Sequence, residues 1–468
     1  MRHLAAGEAM VKEPHPQPPV SGNPSRSRDH FRWDERHHQP HTDMGKWEKF
    51  FASRSDAAQF FRLLGRNIAR LGPVVRHYRS LVRTEPAPQP VAGGSFGIAV
   101  SPTPDTWGRY LERIGELNAR ALLIRVPSWA PEPVFSLHDE FARLHAEGTQ
   151  FTFTLLQNRE LVKDPDRWGG FVRDTAACFC DIDPTFQLGH AINRKKWGIW
   201  HPHEYVRLMD AAAPARSAFP SCRWIGPPVI DFEYYFTTHY LVGERPFDFD
   251  GIAALLYVDR RGSPENLQYG YFDLYRKVLL LRAVIRASGH PDVPIHLTEF
   301  NWPLKGSGKH SPAGEHVQTE EAGQARYLVL YFLTATATGE VASSFWWQLA
   351  ARGYGLLDED GTWTERRAYR AFKHLLARTL NREVHRLPES LRPLRGFSLR
   401  RGSETGAVLY TTGKELRLDP ALPVQEAADL VGSPLATKGL VAGLDPIYLA
   451  LGNTDPASVI EMLGARRR

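Results

Sequence analysis

From residue 95 onward the chain alternates short apolar runs with amphipathic stretches of helical length. The runs are SFGIAVS, ARALLIRVPSW, QFTFTLLQNR, TFQLGHAIN, RWIGPPVIDFE, GIAALLYVDRRG, IHLTEFNWP and VASSFWWQL. They are apolar almost throughout, as strands covered on both faces must be. Between them, DTWGRYLERIGELNA, NLQYGYFDLYRKVLLLRAVIRASG and TEEAGQARYLVLYFLTATATG repeat apolar residues in steps of three and four, the helical period. Eight such βα units predict an α/β fold, a (β/α)8 TIM barrel over residues 93–380. Beyond it, GFSLRR, GAVLYTT, KELRLD and DPIYLAL alternate like half-buried strands. They predict a small antiparallel β-domain, of sandwich type, over residues 381–455, with 456–468 as a C-terminal tail.

The residues before the barrel read differently. Residues 1–43 are rich in Pro, His, Arg and Ser without periodicity, which predicts a disordered tail, and Met44 is an alternative start to Met1. Residues 44–92 predict an N-terminal helical extension followed by a linker. Here Ala57, Phe61, Leu64, Ile68, Leu71, Val75, Tyr78 and Val82 form one stripe, and Gly72-Pro73 is expected to divide it into two helices. Arg62, Arg66 and Arg70 line another face. A helix docked on the barrel with a solvated basic face explains this pattern; peripheral contact of residues 55–83 with an anionic membrane is the alternative.

Composition narrows the picture. A hydrophobic content of 42% and a charged content of 24% are ordinary for globular chains. There is no apolar run of about 18 residues and no apolar N-terminal segment of signal length, so a cytoplasmic and possibly membrane-associated protein is expected. The net charge of +6 is concentrated in the first part of the chain and gives no reason to expect a nucleic-acid partner. Cys178, Cys180 and Cys222 have no metal-ligand spacing and are read as buried thiols, with no metal or other cofactor expected.

In a barrel the chemistry lies at the C-terminal ends of the strands, and these ends are polar here. They carry Arg125; Gln157, Asn158, Arg159 and Glu160; His190 and Asn193; Asp231 and Glu233; Tyr257, Asp259, Arg260 and Arg261; Glu299 and Asn301; and Gln348. Trp129, Trp197, Trp200, Trp302, Trp346 and Trp347 fall at or just after the same ends. Flat rings beside carboxylates and amides suit a pyranose, whose C–H faces stack while its hydroxyls seek polar partners. No glycine-rich phosphate loop is visible. The expected partner is therefore a carbohydrate, with Arg125, Trp129, Asn158, Asn193, Trp197, Tyr257, Asp259, Trp302, Trp346 and Trp347 as candidate binding residues.

The run IHLTEFNWP resembles the seventh strand of clan A retaining glycoside hydrolases, especially the family 39-like enzymes that act on bacterial polysaccharides. The resemblance extends over about residues 95–455 and includes LLIRVPSW, LLYVD, SFWWQL and the closing segment YGLLDEDGTWTERRAYRAFKHL. It implies that Glu299 is the nucleophile, that Arg125 supports it and that Tyr257 hydrogen-bonds it. It also exposes a departure. Where the clan carries its acid/base glutamate in a G-N-E-P-N motif, this chain reads Gly189-His190-Ala191-Ile192-Asn193, so that the Asn has become His190 and the Glu has become Ala191. A retaining glycosidase needs a second carboxyl about 5 to 5.5 Å from the first. The candidates for that role are Glu160, Glu233 and His190; alternatively, the leaving group is already acidic, such as a sugar-linked phosphate held by Arg159, Arg194, Lys195, Arg260 or Arg261. The expected function is cleavage or transfer of a β-linked glycoside of a bacterial polysaccharide or lipopolysaccharide-type glycan. A carbohydrate-binding pseudo-glycosidase or a transglycosidase using an activated donor is the alternative.

Overall fold

The computed structural model of the protein describes residues 31–34, 38–42, 44–45, 57–243, 247–290, 293–311 and 313–464. The eight apolar runs become eight parallel strands: β1 (Phe96–Val100), β2 (Ala121–Pro127), β3 (Gln150–Leu156), β4 (Thr185–Leu188), β5 (Arg223–Ile225 continued by Val229–Ile230), β6 (Ile252–Leu255), β7 (Ile295–Phe300) and β8 (Val341–Trp346). Each pairs in parallel with the next, and β8 pairs with β1, so the sheet closes on itself as a (β/α)8 barrel. The break in β5 falls at Gly226-Pro227-Pro228, where prolines have no N–H to give the ladder; the isolated bridge Ile225↔Gly251 carries the sheet across it.

Alternation along the strands separates two cores. Leu122, Ile124 and Val126 of β2, with Phe151, Phe153 and Leu155 of β3, face outward into the large core shared with the helices. Ala121 and Leu123 face inward and meet Ala99, Phe345 and Trp347 inside the barrel. Arg125 has the parity of Ala121 and Leu123, so its side chain enters the barrel mouth.

Strand β7 breaks this alternation in a way that matters. Leu297 and Phe300 both belong to the outer core although three residues apart, and the pairing with β8 shifts register between them. A bulge at Thr298-Glu299 absorbs the odd residue and turns Glu299 toward the barrel axis.

Helix α1 (Ala57–Arg83) is continuous, in contrast to the division expected at Gly72-Pro73. Pro73 frees the carbonyl of Ala69, and Ala69 is exposed, so water can satisfy that oxygen. α1 lies against the helices Leu274–Ala287 and Tyr234–Leu241. Part of the stretch expected to be disordered is ordered instead: Arg32–Asp34 and Gln39–His41 pair as an antiparallel hairpin, while residues 1–30 lie outside the described residues. No helix among the described residues is long and apolar enough to cross a membrane.

After the helix Arg367–Thr379, a six-stranded antiparallel sheet forms the small domain, its core closed by a two-stranded ribbon (Leu416–Arg417 with Val441–Ala442) and the helix Pro456–Gly464. It is fastened to the barrel by Glu265, which accepts from Tyr410 Oη at 2.8 Å and pairs with Arg395, and by Asp445, which pairs with Arg326 at 2.6 Å and Arg367 at 2.7 Å. Of the three cysteines only Cys222 is buried; Cys178 and Cys180 are half-buried, at the end of the Pro165–Phe179 helix.

Closure past β5 depends on a missing side chain. A Cβ at Gly251 would lie 2.7 Å from the half-buried His296 ring and 2.9 Å from Ile225. Gly251→Ala is expected to destabilise the barrel by about 1–3 kcal/mol, read as a lower urea midpoint; an unchanged midpoint would show that the seam has slack.

Candidate active site

Glu299 stands at the barrel mouth, 7% exposed, with three donors on its two oxygens. Arg125 Nη2 donates to Oε2 at 2.5 Å, His190 Nε2 lies 3.0 Å from the same oxygen, and Tyr257 Oη donates to Oε1 at 2.7 Å. Arg125 is itself clamped. Its guanidinium carbon lies 3.3 Å from the ring centre of Trp347, its Nη2 is 3.0 Å from His190 Nε2, and its Nη1 donates to the His38 carbonyl at 2.5 Å. Burial alone would raise the Glu299 carboxyl. In acid, the attraction and hydrogen bond of a protonated His190, with the charge of Arg125 and the Tyr257 hydroxyl, more than reverse this and hold it well below the usual carboxylate range. Glu299 is an anion at neutral pH.

His190 shifts the other way. Burial, reinforced by the neighbouring Arg125 charge, depresses its imidazole to about 4, against the pull of Glu299. It is therefore neutral near pH 7. With an anionic Oε2 in front of Nε2, the tautomer that fits carries its proton there and donates it to Glu299. The β4 loop that presents His190 is held by Gln157, which donates to the carbonyls of His190 (2.8 Å) and Trp197 (3.0 Å) and accepts from the His190 N–H (2.8 Å).

Ala191, at the position where the resembled family carries its acid, is fully buried with φ of 42° and packs among Leu156, Trp197 and Leu255. Neither of the candidate carboxyls hydrogen-bonds Glu299. Glu233 Oε2 is engaged by Asn193 Nδ2 (2.7 Å), Arg194 Nη1 (2.9 Å) and Tyr235 Oη (3.3 Å), within a cluster where Arg194 also holds Asp231 at 2.5 Å. Glu160 is exposed on the short helix Arg159–Lys163 and pairs with Arg167. Glu204 accepts from the backbone N–H groups of Trp200 and His201 and from Arg159, so it caps the helix Pro202–Ala218. Among the described residues, no hydrogen-bond or ion-pair partner of Glu299 is a carboxyl.

The aromatic candidates divide. Trp347 and Trp197 touch the cluster, Trp197 with its ring centre 4.4 Å from that of His190. Trp302 and Trp346 stack on each other at 5.9 Å in the outer core and are 1% and 0% exposed, because the parity that puts Trp347 inside the barrel puts Trp346 outside. Trp129 is half-buried at the rim. Asn158 caps its helix by accepting from the Leu161 N–H at 2.9 Å. Asp259 begins a turn in which Arg260 and Arg261 have positive φ; Arg261 lies over the Tyr257 ring at 4.0 Å and bonds Asn301.

Two contributors were missed by sequence reasoning. Lys196, in the RKKW stretch before Trp197, is depressed to about 8 by burial, partly offset by attraction to Glu299. The N-terminal hairpin covers the cleft. Its Gln39 Oε1 accepts from Lys196 Nζ at 2.7 Å, its His38 carbonyl meets Arg125, and its Trp33 ring centre lies 4.9 Å from that of Trp129 and 6.2 Å from that of Trp197. Only the repeated Trp in RWD and KKW hinted at this, and no spacing rule links residues so far apart in sequence. A ligand reaching Glu299 must share the mouth with this hairpin or displace it. Among the described residues no cluster of His, Cys, Asp and Glu is placed to hold a metal ion.

No protein-family model and no curated protein sequence matches the chain. Its fold is that of solved clan A glycoside hydrolases. A family 30 subfamily 8 xylanase from Clostridium acetobutylicum superposes with a TM-score of 0.53 at 12% identity, covering 78% of this chain and 98% of that one. A monomeric β-xylosidase from Caulobacter crescentus gives 0.52 at 15% identity, covering 79% and 98%. A family 30 endoxylanase from Clostridium papyrosolvens gives 0.50 at 11%, again covering 79% and 98%. At such identities the likeness establishes the barrel with its β-domain.

The charge states yield two predictions. Because the folded His190 titrates below its unfolded value of about 6.5, the unfolded chain takes up the proton first as pH falls, and stability is lost from about pH 6.5 down to about 4. Between pH 7 and 5 the parent should therefore lose about 2 kcal/mol more than His190→Gln in urea melts; equal losses would show that His190 is not held neutral. Ala191→Glu would bury a carboxylate in an apolar cluster at a strained φ, so restoring the family residue should cost about 3 kcal/mol or more of stability. A variant as stable as the parent would show that the loop can open to admit an acid.

Proposed function

We propose that the protein is a glycosidase-like enzyme that cleaves or transfers a β-linked glycoside through Glu299, and that its donor carries a leaving group needing no proton. The first part rests on one observation: a buried, anionic carboxylate at the barrel mouth, its Oε2 held by Arg125 and His190 and its Oε1 by Tyr257 alone. Oε1, with the freer lone pairs, attacks the anomeric carbon; the bond to the leaving oxygen breaks and that oxygen departs with the electron pair. An incoming hydroxyl, from water or a sugar, then attacks the same carbon, regenerates Glu299 and gives its proton to solvent.

The second part rests on what surrounds Glu299. His190 is neutral at pH 7 and turned toward Glu299, and the carboxyls of Glu160 and Glu233 are held elsewhere. Arg125, Lys196 and Arg261 leave the mouth cationic, which favours an anionic leaving group such as a phosphate on the sugar. A glycan of bacterial polysaccharide or lipopolysaccharide type, built from activated sugars, is the class that fits this chemistry. A carbohydrate-binding protein without turnover is the second reading, favoured by the same lack of an acid.

Rates on aryl glycosides graded by leaving-group pKa and on glycosyl phosphates test the proposal. Turnover should fall steeply as the leaving group becomes more basic, and Glu299→Gln should lose about 10³-fold or more on every substrate that reacts. Undiminished turnover of poor leaving groups, abolished by Glu233→Gln, would put the acid at Glu233. Tight oligosaccharide binding with no turnover of any donor would select the second reading.

A further inference from the structure

Helix α1 has two faces that meet different surroundings. On one, Leu63 and Leu81 are buried, and Leu81, with Val74 and Tyr78, packs against Leu279 and Ala283 of the Leu274–Ala287 helix. Asn67 Nδ2 donates to the Tyr235 carbonyl at 3.0 Å and Arg66 Nη1 to the His239 carbonyl at 3.4 Å, fixing the rotation of the helix. That rotation leaves Leu64, Ile68, Leu71, Val75 and Val82 outside, with 42, 63, 61, 37 and 45% of their surfaces exposed. Their spacing of four, three, four and seven keeps them in one stripe. Single exposed aliphatic side chains are unremarkable on a protein surface; a whole stripe along one helix marks a contact.

The charge beside the stripe tells what kind. Arg76, Arg79 and Arg83 flank it on one side; they are exposed, and none forms an ion pair among the described residues. Residues 57–83 contain no Asp or Glu. A protein partner with an apolar groove would leave these guanidinium groups unmatched, and a soluble polyanion would leave the aliphatic stripe in water. An anionic bilayer offers hydrocarbon for the one and phosphate for the other, in a single plane.

We propose that α1 docks the protein on the surface of an anionic lipid bilayer, lying in the plane of the interface with Leu64, Ile68, Leu71, Val75 and Val82 inserted and the arginines on lipid phosphates. The docked helix is tied to one of the loops at the C-terminal ends of the strands. α1 bonds the backbone of Tyr235, whose hydroxyl meets Glu233 in the loop after β5. If Glu299 acts on a glycan, that glycan is one carried at the membrane; this clause alone rests on the proposed function, and the docking stands or falls without it.

The full chain is tested by co-sedimentation with vesicles of phosphatidylcholine alone and of phosphatidylcholine with phosphatidylglycerol, at low and high salt. Binding is expected only to the mixed vesicles and should weaken with salt. The pairs Ile68→Ser with Leu71→Ser, and Arg76→Gln with Arg79→Gln, should each reduce partitioning about tenfold or more, with melting curves like the parent's because all four positions are exposed. Co-sedimentation no greater than with neutral vesicles would overturn the proposal. So would binding to a soluble polyanion such as heparin that survives the serine pair while vesicles are ignored, since it would assign the face to an acidic macromolecule. Concentration-dependent dimerisation abolished by the serine pair, without vesicle binding, would assign the stripe to a second copy of the chain.

Discussion

The ion pair of Arg125 and Glu299 is the constraint around which the barrel mouth is built. Taking a carboxylate and a guanidinium out of water costs several kcal/mol for each, and the cost is offset as far as the remaining lone pairs and protons find partners. The neighbours meet most of that demand. Trp347 covers the guanidinium, Tyr257 donates to one carboxylate oxygen, His190 donates to the other and the His38 carbonyl accepts from Arg125 Nη1, leaving Arg125 Nε without a hydrogen-bond partner. Each needs its own backbone device: the bulge in β7 aims Glu299, Gln157 pins the β4 loop, and inward parity on β2 and β8 delivers Arg125 and Trp347. Removing one partner of such a pair strands the other, which costs about 3–5 kcal/mol, so this geometry is rigid.

The same demand sets the charge state of His190. Burial keeps its imidazole neutral, and the Arg125 charge beside it adds to the effect because protonation would set two positive groups side by side. His190 thus serves as a donor that orients Glu299 and is unsuited to protonating a leaving group at neutral pH. Ala191 beside it fills an apolar niche against Trp197 and Leu255, where a carboxylate would be unpaired. A carboxylate at Ala191 would therefore require the loop to repack around it, which a single substitution does not provide.

Much of this was legible in the sequence. Eight apolar runs in order specify eight parallel strands because near-continuous hydrophobicity is what double-sided burial demands, and the structure places a strand in each. Glu299, Arg125 and Tyr257 were legible as strand ends, and they meet. What stayed hidden was long-range or depended on parity. Trp302 and Trp346 sit at strand ends like Trp347, yet one residue of alternation sends Trp346 into the outer core. The hairpin over the cleft is a tertiary event: its few apolar residues, Trp33 among them, gain their burial from Trp129 and Trp197 far along the chain, so local composition reads as disorder. The continuous α1 likewise depends on water reaching one freed carbonyl, which Gly72-Pro73 does not announce.

On the proposal made above, Glu299 is the group that bonds to sugar. It is tested most directly by incubating the protein with a panel of 2-deoxy-2-fluoro glycosyl fluorides, whose leaving group needs little protonation and whose fluorine slows release of the adduct, and then mapping any mass increase by peptide mass spectrometry. One added glycosyl unit is expected on the peptide carrying Glu299, absent in Glu299→Gln. A glycosyl unit found instead on Glu233 or Glu160, or retained in Glu299→Gln, would contradict it.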